Sequence, residues 1–410
     1  MKRYVLALSL FVLGIWVGAT FLGRYDEITF VSPTPVREDV VSATIPGPEP
    51  TPLLPAAASC PTAGHLRTSG SQLFNERGDQ VVLAGINWFG FATDFYAPHG
   101  LSQRRLGDVL DQVASLGFNT VRLPFTNELF EPGRTPRGID PVLNPELNGL
   151  AGLELMDRLI QAAAERCLKV ILDRHRPEAK DQSPLWYTTK IGEERWIADW
   201  RMLASRYLGN DTVIGFDLHN EPSGAATWGT GDLATDWRLA AERAGNSILE
   251  VNPRLLIIVQ GVQELSGRHY WWGGNLSAAR SQPVRLSIAG RLVYGPHDYG
   301  PGVHSQPWFS DASFPANLPA VWDQFWGYLH KEKIAPVLVG EFGGLARAGD
   351  RDTEWQRSLV DYIQRYKLSY CYWALNPNPI SPGGLLLADW STADPAKLAV
   401  LQPILQPKLR

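Results

Sequence analysis

The chain has 410 residues, 44% hydrophobic and 20% charged, an ordinary globular composition long enough for one large barrel or two smaller domains. Its formal charge is -4, from 38 basic and 42 acidic residues, and no Lys/Arg cluster forms a basic stripe, which argues against a nucleic-acid partner. A large aromatic core accounts for most of the 15 Trp, but a minority can offer flat apolar faces to the C–H surfaces of sugar rings.

At the N-terminus, Lys2-Arg3 precede an apolar run from Tyr4 to Leu22. Positive charge before an apolar stretch directs the downstream chain across the inner membrane. Residues 1–31 therefore read as a signal peptide or an uncleaved signal anchor, with Val17-Gly18-Ala19 as a weak cleavage site. Either way the remainder is expected outside the cytoplasm, secreted or periplasmic, and an uncleaved segment would tether it to the membrane through residues 4–22. Residues 32–62 turn to Pro, Thr, Ala and Glu, a composition that buries no core and reads as a Pro-rich linker. The folded domain is expected over 63–410, as a monomer, with its last helix ending close to Arg410 and no room for another module. The three cysteines, Cys60, Cys167 and Cys371, show no metal spacing and no disulfide framework. Cys167 and Cys371, each beside a predicted strand, are expected as buried thiols.

From residue 63 onward strands alternate with helices. Gly78-Asp79 sits between apolar runs and predicts a hairpin capping the bottom of the fold. Strands are predicted at Val81–Ile86, Thr120–Leu123, Lys169–Asp173, Val213–Leu218, Leu255–Val259, Leu292–Tyr294, Val337–Val339 and Tyr370–Ala374. Most are short continuous apolar runs, as parallel strands buried on both faces require. Helix periodicity falls at Leu106–Leu116 (stopped by Gly117), Leu153–Cys167, Glu193–Tyr207, Trp237–Val251, Ala320–Lys331 and Thr353–Tyr366. This order predicts an α/β fold, a (β/α)8 TIM barrel with loop insertions.

In such barrels function collects where the strands end. Here those ends read Asn87-Trp88, Arg122, Arg174-His175, His219-Asn220-Glu221, Gln260, His297 to Tyr299, Glu341 and Trp373 to Asn376. A ring of polar and aromatic groups at corresponding points of eight strands is hard to explain as structure alone. Glu221 and Glu341 end the fourth and seventh strands, on opposite sides of the mouth. Two facing carboxylates suit glycoside hydrolysis, one as proton donor and the other as nucleophile or water activator. Pro222 is expected to hold Glu221 extended, and Gly343-Gly344 to let the chain turn sharply beside Glu341.

The motifs "GINWFGF", "LGFNTVRLPF", "VILDRHRP", "VIGFDLHNEP", "YWWGGNL", "RLVYGPHDYG", "PVLVGEFG" and "CYWALNPN" fall in order near the strand ends. With them, residues 81–390 resemble the catalytic domain of glycoside hydrolase family 5, the cellulase A family, in its bacterial endo-β-1,4-glucanase branch. The resemblance implies a retaining hydrolase of β-1,4-glucan that needs no cofactor and no metal. It implies Glu221 as acid/base, Glu341 as nucleophile and Arg122 as the cation that keeps Glu341 ionised. It implies Asn220 on the sugar 2-hydroxyl, Tyr299 donating to the nucleophile and His297 beside the acid/base. His175 is expected on the same floor, Trp373 under the sugar in subsite -1, and Trp272 on the leaving-group side. His175 has a plain alternative as a satisfied core histidine. Trp271 and Trp272 alternate, so one of them faces the cleft. Asp173 and Asp217 are expected to brace arginine or backbone groups, and His219 points away from Asn220. Ser102 stands where close relatives often carry a Trp, which removes one sugar platform. Two rivals remain open: a mannanase or xyloglucanase of the same family, and an envelope-tethered glycan-binding protein without turnover.

Overall fold

The computed structural model describes Cys60 and residues 64–406. The predicted signal or anchor, and all of the predicted linker except Cys60, lie outside the described residues. Eight parallel strands form one sheet: β1 Ala84–Asn87, β2 Thr120–Thr126, β3 Lys169–Arg176, β4 Val213–Asp217, β5 Leu256–Val259, β6 Leu292–Tyr294, β7 Leu338–Phe342 and β8 Ser369–Tyr372. They pair in the order β6-β5-β4-β3-β2-β1-β8-β7. Two parallel bridges, Tyr294 to Val337 and His297 to Glu341, join β6 to β7 and close the sheet into the predicted barrel. The second bridge also sets two of the predicted site residues side by side.

Helices cover the outside. Those before the last strand are α1 Leu106–Ser115, α2 Gly152–Ala164, α3 Glu193–Arg206, α4 Trp237–Val251, α5 Leu318–Trp322, α6 Tyr328–Lys331 and α7 Arg351–Tyr366; α8 Pro395–Leu401 comes after β8. α1 shows why they form. Leu106, Val109, Leu110 and Val113 recur at helical spacing and are all buried, each contributing about 1.5–3 kcal/mol by burial. It ends as predicted at Gly117, whose φ of 95° and N–H bond back to the Ala114 carbonyl suit a residue without Cβ.

Inside the barrel, Ile171, Ile214, Leu256, Ile258, Val293, Leu338 and Cys371 form their own cluster. Leu66 and Leu73 pack into it from the N-terminal segment. Three short antiparallel strands, Arg67–Ser69, Gln72–Phe74 and Gln80–Val81, thus plug the bottom, as expected of the hairpin.

Three expectations differ. The predicted strand Val81–Ile86 is two strands: Gln80–Val81 belongs to the plug, and β1 starts at Ala84. The Asn119 side chain makes the switch, donating to the Val82 carbonyl (2.9 Å) and accepting from the Ala84 N–H (2.9 Å). An apolar run does not reveal that its partner changes midway. The predicted helix Ala320–Lys331 is divided by a wider turn over Asp323–Gly327. Cys167 is no thiol. It is disulfide-bonded to the buried Cys60, 107 residues earlier, a pairing that spacing does not encode. Cys371 is the buried thiol that was expected. Among the described residues, no helix is long and apolar enough to cross a membrane.

Candidate active site

Arg122, expected at the end of its strand, is the third residue of β2, which runs on to Thr126; its side chain is fully buried and meets carboxylates from β3, β4 and β7. Its guanidinium donates to Glu341 Oε1 at 2.7 Å, to Asp217 Oδ2 at 2.8 and 3.1 Å, and lies 3.1 Å from Asp173 Oδ1. It also donates to Asn87 Oδ1 (2.8 Å) and Asn220 Oδ1 (3.1 Å). A guanidinium cannot lose its charge here, and three acceptors on separate strands fix its plane. Burial pushes the Asp173 carboxyl up to about 7 and that of Asp217 up to about 6, against the pull of Arg122. Both aspartates brace the arginine, as expected.

Glu341 receives a second donor. Tyr299 Oη bonds its Oε2 at 2.8 Å, so each carboxylate oxygen of Glu341 is held by one donor. Burial, with the negative charges of Glu341 and Glu221, holds the tyrosine far above its ordinary range, so it stays a donor. These two hydrogen bonds fix the orientation of the carboxyl group.

Glu221 stands in a different environment. Among the described residues no arginine bonds it; His297 Nδ1 lies 3.1 Å from Oε1 and Gln182 Nε2 donates to Oε2 at 3.1 Å. Burial pushes its carboxyl up to about 7. Burial likewise holds His297 down to about 4, so the ring is neutral at ordinary pH. A carboxylate oxygen of Glu221 and one of Glu341 lie within 4.8 Å of each other. The two carboxyls thus stand in different surroundings, Glu341 bonded to a cation and Glu221 raised by burial.

The backbone at Glu221 is not extended. Its φ is 55°, the left-handed region in which a side chain is strained, so Pro222 does not impose the geometry expected of it. The Gln260 side chain supplies what holds it there: Oε1 accepts the Glu221 N–H at 2.8 Å while Nε2 donates to Asp217. Gly343 and Gly344 also differ from expectation, since neither has a positive φ. A Cβ on Gly343 would sit 2.1 Å from the Trp373 carbonyl, and one on Gly344 would sit 2.3 Å from the Gln356 amide. Close packing, not turning, requires glycine there.

The remaining predicted residues gather at the same mouth. His175 donates from Nδ1 to Asp173 (2.7 Å), on the far side of that carboxyl from Arg122. Burial holds its ring down to about 3. Asn220 gives its oxygen to Arg122, leaving its NH2 as the donor for a ligand. The half-buried Trp373 ring is flanked by His175 at 5.4 Å and Phe89 at 5.5 Å, both nearly parallel to it. Trp272 is half-buried, whereas its neighbour Trp271 is covered and packs on Tyr299. His219 turns away and bonds Arg174 (2.8 Å). Gln260, Gln182 and Phe89 were not singled out from the sequence. Gln260 was legible only as a polar strand end, and Gln182 lies on a loop with no periodic signal.

Two groups of side chains could converge on a cation: Asp173 with His175 and Glu341, and Glu221 with His297 and Glu341. In both, Glu341 is already bonded to the fixed positive charge of Arg122, which repels a second cation. The donor set does not fit a metal centre.

Residues 74–379 match the family model described as cellulase, glycosyl hydrolase family 5. An endoglucanase of Paenibacillus polymyxa is 52% identical over 361 residues, covering 87% of this chain and 90% of that one. The major extracellular endoglucanase of Xanthomonas campestris pv. campestris is 39% identical, covering 85% of this chain and 73% of that one. An endocellulase structure from Pyrococcus horikoshii, in complex with cellotetraose, superposes with a TM-score of 0.78 at 41% identity, covering 84% of this chain and 99% of that one.

Proposed function

The chain belongs to glycosyl hydrolase family 5, and from that premise we propose a retaining double displacement on β-1,4-glucan with Glu341 as nucleophile and Glu221 as acid/base. The chain is an endo-β-glucanase. One observation carries the division of roles. Glu341 accepts from Arg122 and Tyr299, while Glu221, within 4.8 Å, has no arginine on it and is raised to about 7 by burial.

In the first step a Glu341 oxygen bonds the anomeric carbon, the Glu221 proton passes to the glycosidic oxygen, and the C–O bond breaks. In the second, water gives a proton to Glu221, its oxygen bonds the same carbon, and Glu341 leaves as a carboxylate. Asn220 offers its NH2 to the sugar 2-hydroxyl, Trp373 backs the reacting sugar and Trp272 the leaving chain. A pure binder has no use for this pair, and the mannan and xyloglucan readings would share it. An approach of one oxygen of each carboxyl to within 4.8 Å favours the retaining spacing, about 5–5.5 Å between the groups, over the inverting one of about 6.5–9.5 Å. Proton NMR of fresh cello-oligosaccharide hydrolysate is expected to show the β-anomer first, with the α-anomer growing by mutarotation. An initial α-anomer would sink the assignment.

Export belongs to the same proposal. Lys2-Arg3 before the apolar run supports it, and so does the Cys60–Cys167 disulfide, since such bonds persist in oxidising compartments. Cell fractionation with added protease is expected to find the barrel outside the inner membrane, free or held by residues 4–22. Barrel protected in the cytosol, with an intact N-terminus, would refute this.

A further inference from the structure

The acid/base carboxyl has two oxygens, and they are held differently. His297 faces Oε1 with Nδ1, while its Nε2 is buried without a partner. A buried N–H without an acceptor costs more than an idle lone pair, so the proton of the neutral ring sits on Nδ1. Nδ1 also lies 3.6 Å from Glu341 Oε2, which can only accept. With Oε1 taken by an N–H, the acid proton of Glu221 sits on Oε2, and Gln182 is at hydrogen-bond distance from that oxygen.

Gln182 is carried by the segment between β3 and α3. Residues 180–182 are exposed, but the segment is pinned on both sides. Before them, the Ala179 N–H bonds Glu128 Oε2 (2.9 Å). After them, the Pro184 carbonyl accepts the Ser223 N–H (3.1 Å), and Trp186 is buried with its indole N–H on Glu193 (2.6 Å). The bond to Ser223 ties the segment to the loop that presents Glu221.

We propose that Gln182 is a further catalytic residue, whose amide N–H holds Oε2 of Glu221 in its ionised state and gives way when that oxygen carries the proton. This rests on reading Glu221 as the acid/base. An N–H donates more strongly to a carboxylate oxygen than to the same oxygen once it is protonated, so the contact favours the form that acts as base in the second step. In the first step the O–H on Oε2 must point at the glycosidic oxygen, and the Gln182 bond is released. Once that proton has gone to the leaving group, Oε2 is negative and Gln182 donates to it again. Water then returns a proton to Oε2 as its oxygen bonds the anomeric carbon.

Other groups also face Glu221: Arg122 and Arg176 stabilise its charge, Asp173 opposes it, the neutral His297 lies against Oε1, and Glu341 and Tyr299 stand nearby. Lys180 and Asp181 precede Gln182 in the chain. All of these are unchanged in a Gln182 variant, so a shift reports the lost amide.

The test is the pH dependence of kcat/KM on cello-oligosaccharides, which in the wild type is expected to fall as pH rises through about 7. In Gln182→Leu the basic limb is expected to move up by about half to one unit. On activated aryl cellobiosides, where the second step limits, kcat is expected to fall about tenfold with a pre-steady-state burst. Gln182→Glu keeps the size and replaces the donor by a like charge, and should move the limb at least as far. If both variants leave the limb in place, or lose activity equally at every pH and on both substrates, Gln182 only supports the loop. Glu221→Ala, measured alongside, separates the two ideas: if it shows no dependence on the leaving group, the acid/base reading itself fails.

Discussion

Glu341→Ala is expected to abolish turnover on natural glucans and activated aryl glycosides alike, with kcat/KM lower by about 10⁴-fold or more. The loss does not depend on the leaving group, because the missing event is bond formation at the anomeric carbon. Within the described cleft the other carboxyls are committed elsewhere. Asp173 and Asp217 are fully buried on Arg122, and Glu221 is the proton donor. The substitution also leaves Arg122 with one acceptor fewer in a buried site. The loss therefore has to be separated from a loss of folding by circular dichroism and by retained binding of cello-oligosaccharide. Small external nucleophiles provide the positive control. Azide is expected to enter the vacated space and yield an α-glycosyl azide from an aryl β-glycoside. A β-azide, or residual activity above a thousandth of wild type, would assign the nucleophile to another residue.

Glu221→Ala is expected to split by leaving group. On cello-oligosaccharides and soluble glucan, where the departing alkoxide needs a proton, kcat/KM should fall by about 10²–10⁴-fold. On 2,4-dinitrophenyl cellobioside, whose leaving group departs unprotonated, the first step should stay within about tenfold of wild type. The second step then lacks its base, so glycosyl-enzyme accumulates and kcat on that substrate becomes limited by water attack. Azide should relieve that limit and give a β-azide. The basic limb near pH 7 should vanish from kcat/KM, since the group that titrates there is gone. Equal losses on both substrate types would mean that Glu221 does not deliver the proton.

Much of the fold was legible because most barrel strands are short apolar runs that lead into polar residues at the mouth. Glu221 and Glu341 could be placed on one mouth from their positions after such runs, whereas Arg122 lies inside its strand. The structure adds what depends on contacts between distant segments. Asn119 moves the chain from the plug to the barrel, and Cys60 meets Cys167 across 107 residues. Gln260 holds the Glu221 N–H, and Gln182 reaches the acid/base from a loop without periodicity. The glycines after Glu341 were noticed for the wrong reason: what matters is the Trp373 carbonyl and the Gln356 amide against them, and a linear sequence carries no distances.

The left-handed backbone at Glu221 bears on how this protein can change over generations. A side chain in that conformation costs about 1–2 kcal/mol that glycine does not. Its carboxyl adds a second cost, because burial disfavours the charge it must carry for half of each cycle. Both costs disappear if the codon drifts to glycine, and so does the acid/base. A silent descendant of this barrel, one that grips glucan without cutting it, would be free of both costs, at the loss of the bonds that His297 and Gln182 make to the carboxyl. Turnover is what position 221 gives in return for its strained backbone.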